Sequence, residues 1–169
     1  ASLTNSINLP PSASQTVGYT SVRAGAIFQP TDVQSYYLSY GTSFNPSLET
    51  LALTSGQQSL DPETSRQYEL GGKWDVLDGN LSLTAAIFQI EKDNTRSQIS
   101  TGVYELTGNV RVRGFQLSAA GRITNSWQVF GGYTYLDAGI VKASVLANTQ
   151  GKVPANTPKN SASLWTTYN

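Results

Sequence analysis

The stretch that decides the fold is residues 67–76, QYELGGKWDV, because its two sets of alternate residues differ in polarity. One set is apolar apart from a glycine, and it consists of Tyr68, Leu70, Gly72, Trp74 and Val76. The other set is polar or charged apart from a glycine, and it consists of Gln67, Glu69, Gly71, Lys73 and Asp75. Successive side chains of a β-strand point to opposite faces of the sheet. The stretch therefore predicts a strand with one apolar face and one charged face.

Similar alternation recurs along the chain, and no stretch shows convincing helical periodicity. The predicted strands are residues 17–29, 33–43, 66–77, 81–92, 103–123, 127–138 and 160–169. In the fifth strand the apolar phase changes between Val112 and Phe115. A β-bulge inserts one extra residue and shifts the phase by one. We therefore expect a bulge at Arg113-Gly114.

The connections between the predicted strands alternate between short and long. Tight turns are predicted at 30–32, 77–80 and 124–126, where turn-forming residues cluster. The links between them are long, and they cover residues 44–65, 93–102 and 139–159. Transmembrane barrels have short periplasmic turns and longer extracellular loops. The pattern thus favours an antiparallel up-and-down barrel whose long links lie at the cell surface.

The composition leaves two classes of β-protein open. Only 13% of the 169 residues are charged, against about a quarter in ordinary soluble domains. No run approaches the roughly 18 apolar residues of a transmembrane helix. A membrane barrel and a soluble β-sandwich binding module both fit these values. Aromatic residues such as Trp127, Tyr133 and Tyr135 could mark two membrane interfaces or pack a sandwich core.

Charge and residue usage argue against several functions. The chain has 11 basic and 11 acidic residues, so it has no basic field for nucleic acid. It contains no cysteine and no histidine, which removes thiolate and imidazole metal sites and Ser-His-Asp hydrolysis. We expect no enzyme activity, no catalytic residue, no directly bound cofactor, no metal ligand and no nucleic-acid partner.

Six strings resemble one family in order and spacing. They are YGTSFNPS at 40–47, LDPETSRQYELG at 60–71 with Lys73-Trp74, LSLTAAIF at 81–88, RGFQL at 113–117, GYTYLDA at 132–138 and SASLWTTY at 161–168. Together they resemble TonB-dependent ferric-siderophore receptors, closest to hydroxamate types such as those for ferrichrome, with catecholate types close behind. The resemblance covers nearly the whole chain.

The resemblance implies a barrel of about 22 strands closed by a plug, of which this chain holds about seven. The chain opens at Ala1-Ser2 and closes within an alternating run, so we expect a single partial domain, 1–169, lacking the plug, the early strands and the final strands. The implied location is the bacterial outer membrane. The implied partners are a ferric siderophore as transported ligand, TonB acting through the missing plug, and outer-membrane lipid.

Two sets of residues are predicted to contact these partners. Residues predicted to face the plug from the barrel lumen are Arg23, Gln67, Glu69, Lys73, Asp75, Gln116 and Arg122. Residues predicted to line an extracellular ligand vestibule are Phe44, Tyr104, Arg111, Arg113 and Tyr135. Aromatic rings suit a bulky chelate, and arginines suit an anionic one. An interfacial girdle and simple lumen solvation remain alternatives for these residues, and a passive outer-membrane pore remains an alternative function.

Overall fold

The structure is a computed structural model, and it describes residues 19–45, 62–100, 103–143 and 148–169. These residues form one seven-stranded antiparallel sheet in which each strand pairs with its neighbours in sequence. The strands are β1 Arg23–Thr31, β2 Gln34–Asn45, β3 Glu63–Val76, β4 Leu81–Ser100, β5 Val103–Arg122, β6 Trp127–Lys142 and β7 Asn160–Tyr168. The prediction of seven antiparallel strands is confirmed. Most of the predicted link 44–65 lies outside the described residues.

Three tight turns lie at one end of the sheet, as predicted. They connect β1 to β2 at 32–33, β3 to β4 at 77–80, and β5 to β6 at 123–126. In the second turn Leu77, Asp78 and Gly79 all have positive φ values, of 54°, 55° and 81°. The side-chain amide of Asn80 donates a hydrogen bond of 2.8 Å to the carbonyl of Leu77 and closes this turn. Asp and Gly tolerate this left-handed backbone, and the Leu77 side chain is exposed there.

The predicted long link at 93–102 is wrong. Strand β4 continues to Ser100 and stays paired with β5 as far as Val103. The register shifts on either side of Thr95, next to Asn94, whose φ is 58°. Backbone pairing therefore extends β4 and β5 past the point where their alternating sequence pattern ends. The irregular backbone at Asn94 accommodates the shift in register between the two strands.

The predicted bulge at Arg113-Gly114 is also wrong. Pairing with β4 runs without interruption from Val112 to Phe115, and pairing with β6 is continuous there too. Arg113 and Phe115 consequently lie on the same face of the sheet. The apolar residues change face at this point although the backbone register does not change.

The register defines two faces for the whole sheet. We call the first the belt face, because it carries a continuous apolar band across the strands. In register, this band includes Leu38, Leu70, Ile87, Phe115, Leu83, Leu117 and Leu164. The second, which we call the reverse face, carries Ser39, Glu69, Lys73 and Gln116.

The sheet has no hydrophobic core of its own within the described residues. The one buried apolar residue there is Ala86, which is 4% exposed. On the belt face Leu38 is 57% exposed, Leu70 is 50% exposed and Ile87 is 59% exposed. A soluble sandwich would cover such side chains with a second sheet. The belt therefore needs an apolar surrounding that is not another layer of this sheet, which argues against the sandwich alternative.

Aromatic rings cover both sides of the buried glycine pair in β3. On the reverse face the Tyr37 ring lies across Gly71, so that a Cβ there would stand 2.5 Å from the ring. On the belt face Trp74 and Tyr36 lie against Gly72, with contacts of 2.8 and 3.1 Å to an added Cβ. Only glycine leaves room for rings this close to the backbone. These two glycines therefore relieve crowding between β3 and the rings of β2 and β3.

Candidate functional site

The seven residues predicted to face a plug all lie on the reverse face. The register places Arg23, Gln67, Glu69, Lys73, Asp75, Gln116 and Arg122 on this side. They come from three strands, β1, β3 and β5. Alternation in the sequence was sufficient to find their common face. A contact with a plug stays a prediction.

Glu69 is the best-anchored side chain of this set. The Tyr37 hydroxyl donates a hydrogen bond of 2.6 Å to its Oε1 atom, and the Gln67 amide donates one of 3.0 Å to its Oε2 atom. Lower on the same strand, Lys73 Nζ lies 3.2 Å from Asp75 Oδ2. Hydrogen bonds to both carboxylate oxygens fix the Glu69 rotamer. The reverse face thus presents a positioned negative charge beside a locally compensated ion pair.

A recess of about 510 Å³ lies higher on the reverse face, across β1 to β4. Its floor consists of small residues, among them Gly25, Ser39, Gly41, Ser43 and Ser65. Arg23 and Gln67 provide a cation and an amide at its wall, and Ile90 provides an apolar contact. Sequence reasoning missed this recess, although the repeated small residues on one face of β1 and β2 were a usable signal. Its chemistry suits a polar or anionic group.

The residues predicted to line a ligand vestibule do not join this recess. Phe44, Arg111, Arg113 and Tyr135 lie on the belt face, and the Tyr104 side chain lies outside the described residues. The Phe44 ring packs 4.9 Å from the Tyr19 ring, measured between centroids. A ligand-binding role for these five residues stays a prediction, and the register does not place the four described side chains beside the plug-facing set.

The two faces exchange polarity at one level of the sheet. On the belt face the apolar residues Ile87, Phe115 and Tyr135 are followed, toward the long links, by Gln89, Arg113 and Asp137. On the reverse face the same level carries Phe88, Val112 and Leu136. The belt therefore ends at a defined height, and an apolar strip begins there on the other side.

Aromatic residues mark both limits of the belt. Near the short turns Trp74 Nε1 donates a hydrogen bond of 3.2 Å to the Tyr36 hydroxyl, and Trp127 lies on the same face. Near the upper limit the Phe115 and Tyr135 rings stack with centroids 5.5 Å apart. Rings with one polar end suit the two interfaces between a bilayer and water.

The described residues contain no group of three or more His, Cys, Asp or Glu side chains placed to hold a metal ion. No helix in the described part of the chain is long and apolar enough to cross a membrane.

An exposed apolar belt bounded by aromatic rings and backed by a charged face is the wall of a transmembrane β-barrel. The family model described as "TonB dependent receptor-like, beta-barrel" matches residues 2–169. The chain belongs to this receptor family. TonB-dependent receptors are outer-membrane β-barrel proteins, so this receptor segment crosses the outer membrane with its strands.

Curated relatives of this receptor segment carry siderophore names. The probable TonB-dependent siderophore receptor PiuA of Acinetobacter baumannii is 39% identical over 168 residues, covering 89% of this chain and 22% of that protein. The catecholate siderophore receptor Fiu of Escherichia coli K12 is 34% identical, covering 86% of this chain and 20% of that protein. The chain therefore spans about a fifth of the length of the curated relatives it matches.

Solved structures agree with the fold of this receptor segment. The crystal structure of PiuA from Acinetobacter baumannii superimposes with a TM-score of 0.75 at 39% identity, over 86% of this chain and 23% of that one. The closed form of Fiu from Escherichia coli K12 gives a TM-score of 0.71 at 33% identity, over 86% of this chain and 22% of that one. The prediction of a TonB-dependent receptor barrel segment is confirmed.

Proposed function

We propose that the complete protein takes up a ferric siderophore across the outer membrane in a TonB-dependent manner. In this proposal the present segment supplies seven adjacent strands of the barrel wall. One observation carries it: an exposed apolar belt with an anchored charged reverse face occurs in a chain whose relatives are named siderophore receptors. The segment contributes shape and binding surface, and it does no bond chemistry.

The sheet requires further strands to close. Its order runs from β1 to β7, and these two edge strands do not pair with each other. Unpaired backbone groups at a sheet edge cost several kcal/mol each in hydrocarbon, by an order-of-magnitude estimate. Strands outside this segment therefore pair with both edges in the membrane. We place the plug, and through it the contact with TonB, outside this segment as well.

The reverse face then lines the barrel lumen, with the plug opposite its charged set. Glu69 is the strongest candidate contact because both its carboxylate oxygens are already held by Tyr37 and Gln67. A side chain fixed in advance loses little rotamer entropy when it binds a donor on the plug. The other six residues of the set lie on the reverse face too, and in this proposal they also face the plug.

The transported ligand is a ferric siderophore in which the chelate itself wraps the iron. No protein iron ligand is needed for this, because the receptor recognises the outside of the complex. The sequence resemblance favours a hydroxamate complex, whereas Fiu is named a catecholate receptor. The reverse-face recess with Arg23 suits an anionic complex better than a neutral one. The uptake experiment therefore uses both a hydroxamate complex and a catecholate complex.

The test is iron uptake by cells that carry the complete protein in place of the native one. Cells starved of iron receive radiolabelled iron as a ferric catecholate or as ferrichrome, with and without a functional TonB. We expect uptake of at least one complex with TonB and background uptake without it. Equal uptake in the absence of TonB would instead indicate a passive pore. If uptake of both complexes stays at background although the barrel is present in the membrane, the proposal is refuted.

Two variants separate the lumen contact from general surface charge. Glu69→Gln removes the negative charge from the reverse face, and Glu91→Gln removes one from the belt face. We expect Glu69→Gln to lower uptake severalfold, and Glu91→Gln to leave it near the wild-type rate. Equal uptake by the two variants would show that Glu69 has no partner inside the barrel. Barrel content of the membrane, measured by heat-dependent gel mobility, controls for failed assembly.

A further inference from the structure

The tight turn between β3 and β4 carries an asparagine in an acceptor sequence for N-glycosylation. The turn and the start of β4 read Asp78-Gly79-Asn80-Leu81-Ser82. N-linked glycans are attached to asparagine in the sequence Asn-x-Ser or Asn-x-Thr, where x is not proline. Among the asparagines of this chain only Asn80 meets the rule, because Pro46 follows Asn45 and the others have no Ser or Thr two residues later.

An acidic residue precedes this asparagine by two positions. Bacterial oligosaccharyltransferases work in the periplasm and select acceptors with Asp or Glu at that position, where the carboxylate can form a charge-assisted pair with the enzyme. Asp78 supplies this carboxylate, and neither Gly79 nor Leu81 interrupts the sequence as a proline would. The turn thus has the longer, bacterial form of the acceptor sequence.

The turn is exposed on the side of the membrane where such a transferase works. Residues 77–80 are all exposed, and a Cβ added at Gly79 would meet no atom within 4 Å. Short turns of outer-membrane barrels face the periplasm. A glycan attached here stays in the periplasm while the barrel inserts, whereas a glycan on a long link would have to cross the hydrocarbon.

The contacts of Asn80 leave a position for a sugar on its side-chain nitrogen. Nδ2 carries two hydrogens, and it donates a hydrogen bond of 2.8 Å to the carbonyl of Leu77. Its Oδ1 atom accepts one of 3.3 Å from Arg122 Nη2, and its backbone carbonyl accepts one of 2.8 Å from the Arg122 amide. An N-linked glycan replaces one hydrogen of Nδ2 and keeps the other, so the turn retains a donor for Leu77.

Ser82 indicates when the glycan is attached. A transferase has to reach the asparagine amide and the hydroxyl of the third residue together. In the folded sheet Ser82 is half-buried in β4, cross-strand from Asp75 on the reverse face. Strand pairing fixes its backbone and covers its side chain. The acceptor sequence is therefore accessible before β3 pairs with β4, while the chain is unfolded in the periplasm.

We propose that Asn80 is an acceptor for N-linked glycosylation in the periplasm, and that the glycan is attached before the barrel folds. A bond forms between Nδ2 of Asn80 and C1 of the first sugar of a lipid-linked oligosaccharide. The bond between C1 and the pyrophosphate oxygen breaks, the lipid pyrophosphate leaves, and one Nδ2 proton passes to a base of the transferase. The inference depends on the outer-membrane location and not on which ligand the receptor transports.

The test expresses the complete receptor in cells that carry a bacterial oligosaccharyltransferase and an undecaprenyl-pyrophosphate-linked oligosaccharide of known mass. Trypsin places Asn80 in peptide 74–92, and it places Asn125, which is exposed in the β5–β6 turn without the acceptor sequence, in peptide 123–142. We expect mass spectrometry to find the first peptide heavier by one oligosaccharide and the second unmodified. An unmodified peptide 74–92, in cells that glycosylate a known acceptor protein, would overturn the proposal.

Paired substitutions separate the acceptor sequence from simple exposure. Asn80→Gln and Ser82→Ala should abolish the mass increase, whereas Ser82→Thr should keep it. Asp78→Asn should lower the modified fraction strongly, and Asp78→Glu should keep it near the wild-type level. Asparagine tolerates the φ of 55° at this position as aspartate does, so the neutral variant keeps the turn. An unchanged modified fraction in Asp78→Asn would contradict the assignment to a bacterial acceptor sequence.

Purified components test the order of the two events. The complete receptor is given to the transferase and its donor either folded in detergent or freshly diluted from urea, and heat-dependent gel mobility shows which sample is folded. We expect Asn80 to be modified in the unfolded receptor and to stay unmodified in the folded one. Equal modification of the two samples would refute attachment before folding.

Discussion

The half of the sheet beside the short turns and the half beside the long links share one backbone register but distribute their side chains in opposite ways. In the lower half Leu83 and Leu117 point to the belt face, and Lys73 and Gln116 point to the reverse face. In the upper half Arg113 lies on the belt face and Val112 on the reverse face. The contrast teaches that the surroundings of each face decide which residue types lie on it, whereas the pleat only decides which residues share a face. The surroundings change along a single strand, from hydrocarbon beside the belt to a polar medium above it.

The largest effect is expected from moving a charge into the belt. Leu117→Arg places a guanidinium on the lipid face in mid-belt, which should lower the free energy of unfolding by about 2–4 kcal/mol. Gln89→Arg places the same guanidinium on the same face of the neighbouring strand β4, but above the belt. It should cost only about 0–1 kcal/mol. Urea unfolding of the complete receptor in lipid vesicles measures both, and equal costs would disprove the change of medium.

A smaller effect is expected at Gly71, in the lower half. Gly71→Ala brings a methyl group against the Tyr37 ring and should destabilise the barrel by about 1–3 kcal/mol. All three nearest atoms belong to Tyr37, so adding Tyr37→Ala should remove most of that cost. The same unfolding experiment gives the interaction energy from the two single variants and the double variant.

Gly114, at the level where polarity changes, is the matched comparison. An added Cβ there would meet the backbone carbonyl of Tyr135 as well as the Phe88 ring. Gly114→Ala should therefore remain costly in a Phe88→Ala background, because a carbonyl in a paired strand cannot move aside. Rescue at Gly114 equal to that at Gly71 would contradict this account.

The smallest effect is expected at the ion pairs above the belt. Arg66 contacts Glu91 and Asp93 with a side chain that is 45% exposed. Exposed pairs of this kind contribute about 0–1 kcal/mol and are screened by salt. Arg66→Gln should thus reduce stability only slightly at low salt and not measurably at high salt. A loss near that of Leu117→Arg would place Arg66 in hydrocarbon and move the membrane boundary upward.

The same contrast explains what the sequence could and could not predict. Residues 67–76 alternate because hydrocarbon borders one face and a polar interior the other, so the strand and both faces were predictable. The continuation of β4 past Asp93 was not predictable from the sequence, because residues there do not alternate between apolar and polar. Pairing with β5 alone holds that part of the strand. The phase change at Arg113 predicts a bulge, but the pairing is continuous there and the change reflects the end of the belt.

The candidate sites also differ in how far the sequence alone predicts them. The common face of Arg23, Glu69 and Gln116 follows from parity within strands whose phase is clear. The position of Arg111 and Arg113 on the lipid side depends on continuous pairing through Gly114, which periodicity alone cannot distinguish from a bulge. The recess beside Arg23 combines residues from four strands, and a single sequence does not show which strands are adjacent at what offset.

The meander order of the sheet, in which every strand pairs only with the strands before and after it, has a consequence for how such walls can change. Removing or duplicating one hairpin alters the circumference by two strands and leaves all other pairings as they were. A new pore diameter therefore requires no rewiring of the chain. The two strands that become neighbours need only pair in a register that keeps their apolar residues on the belt face and their polar residues on the reverse face.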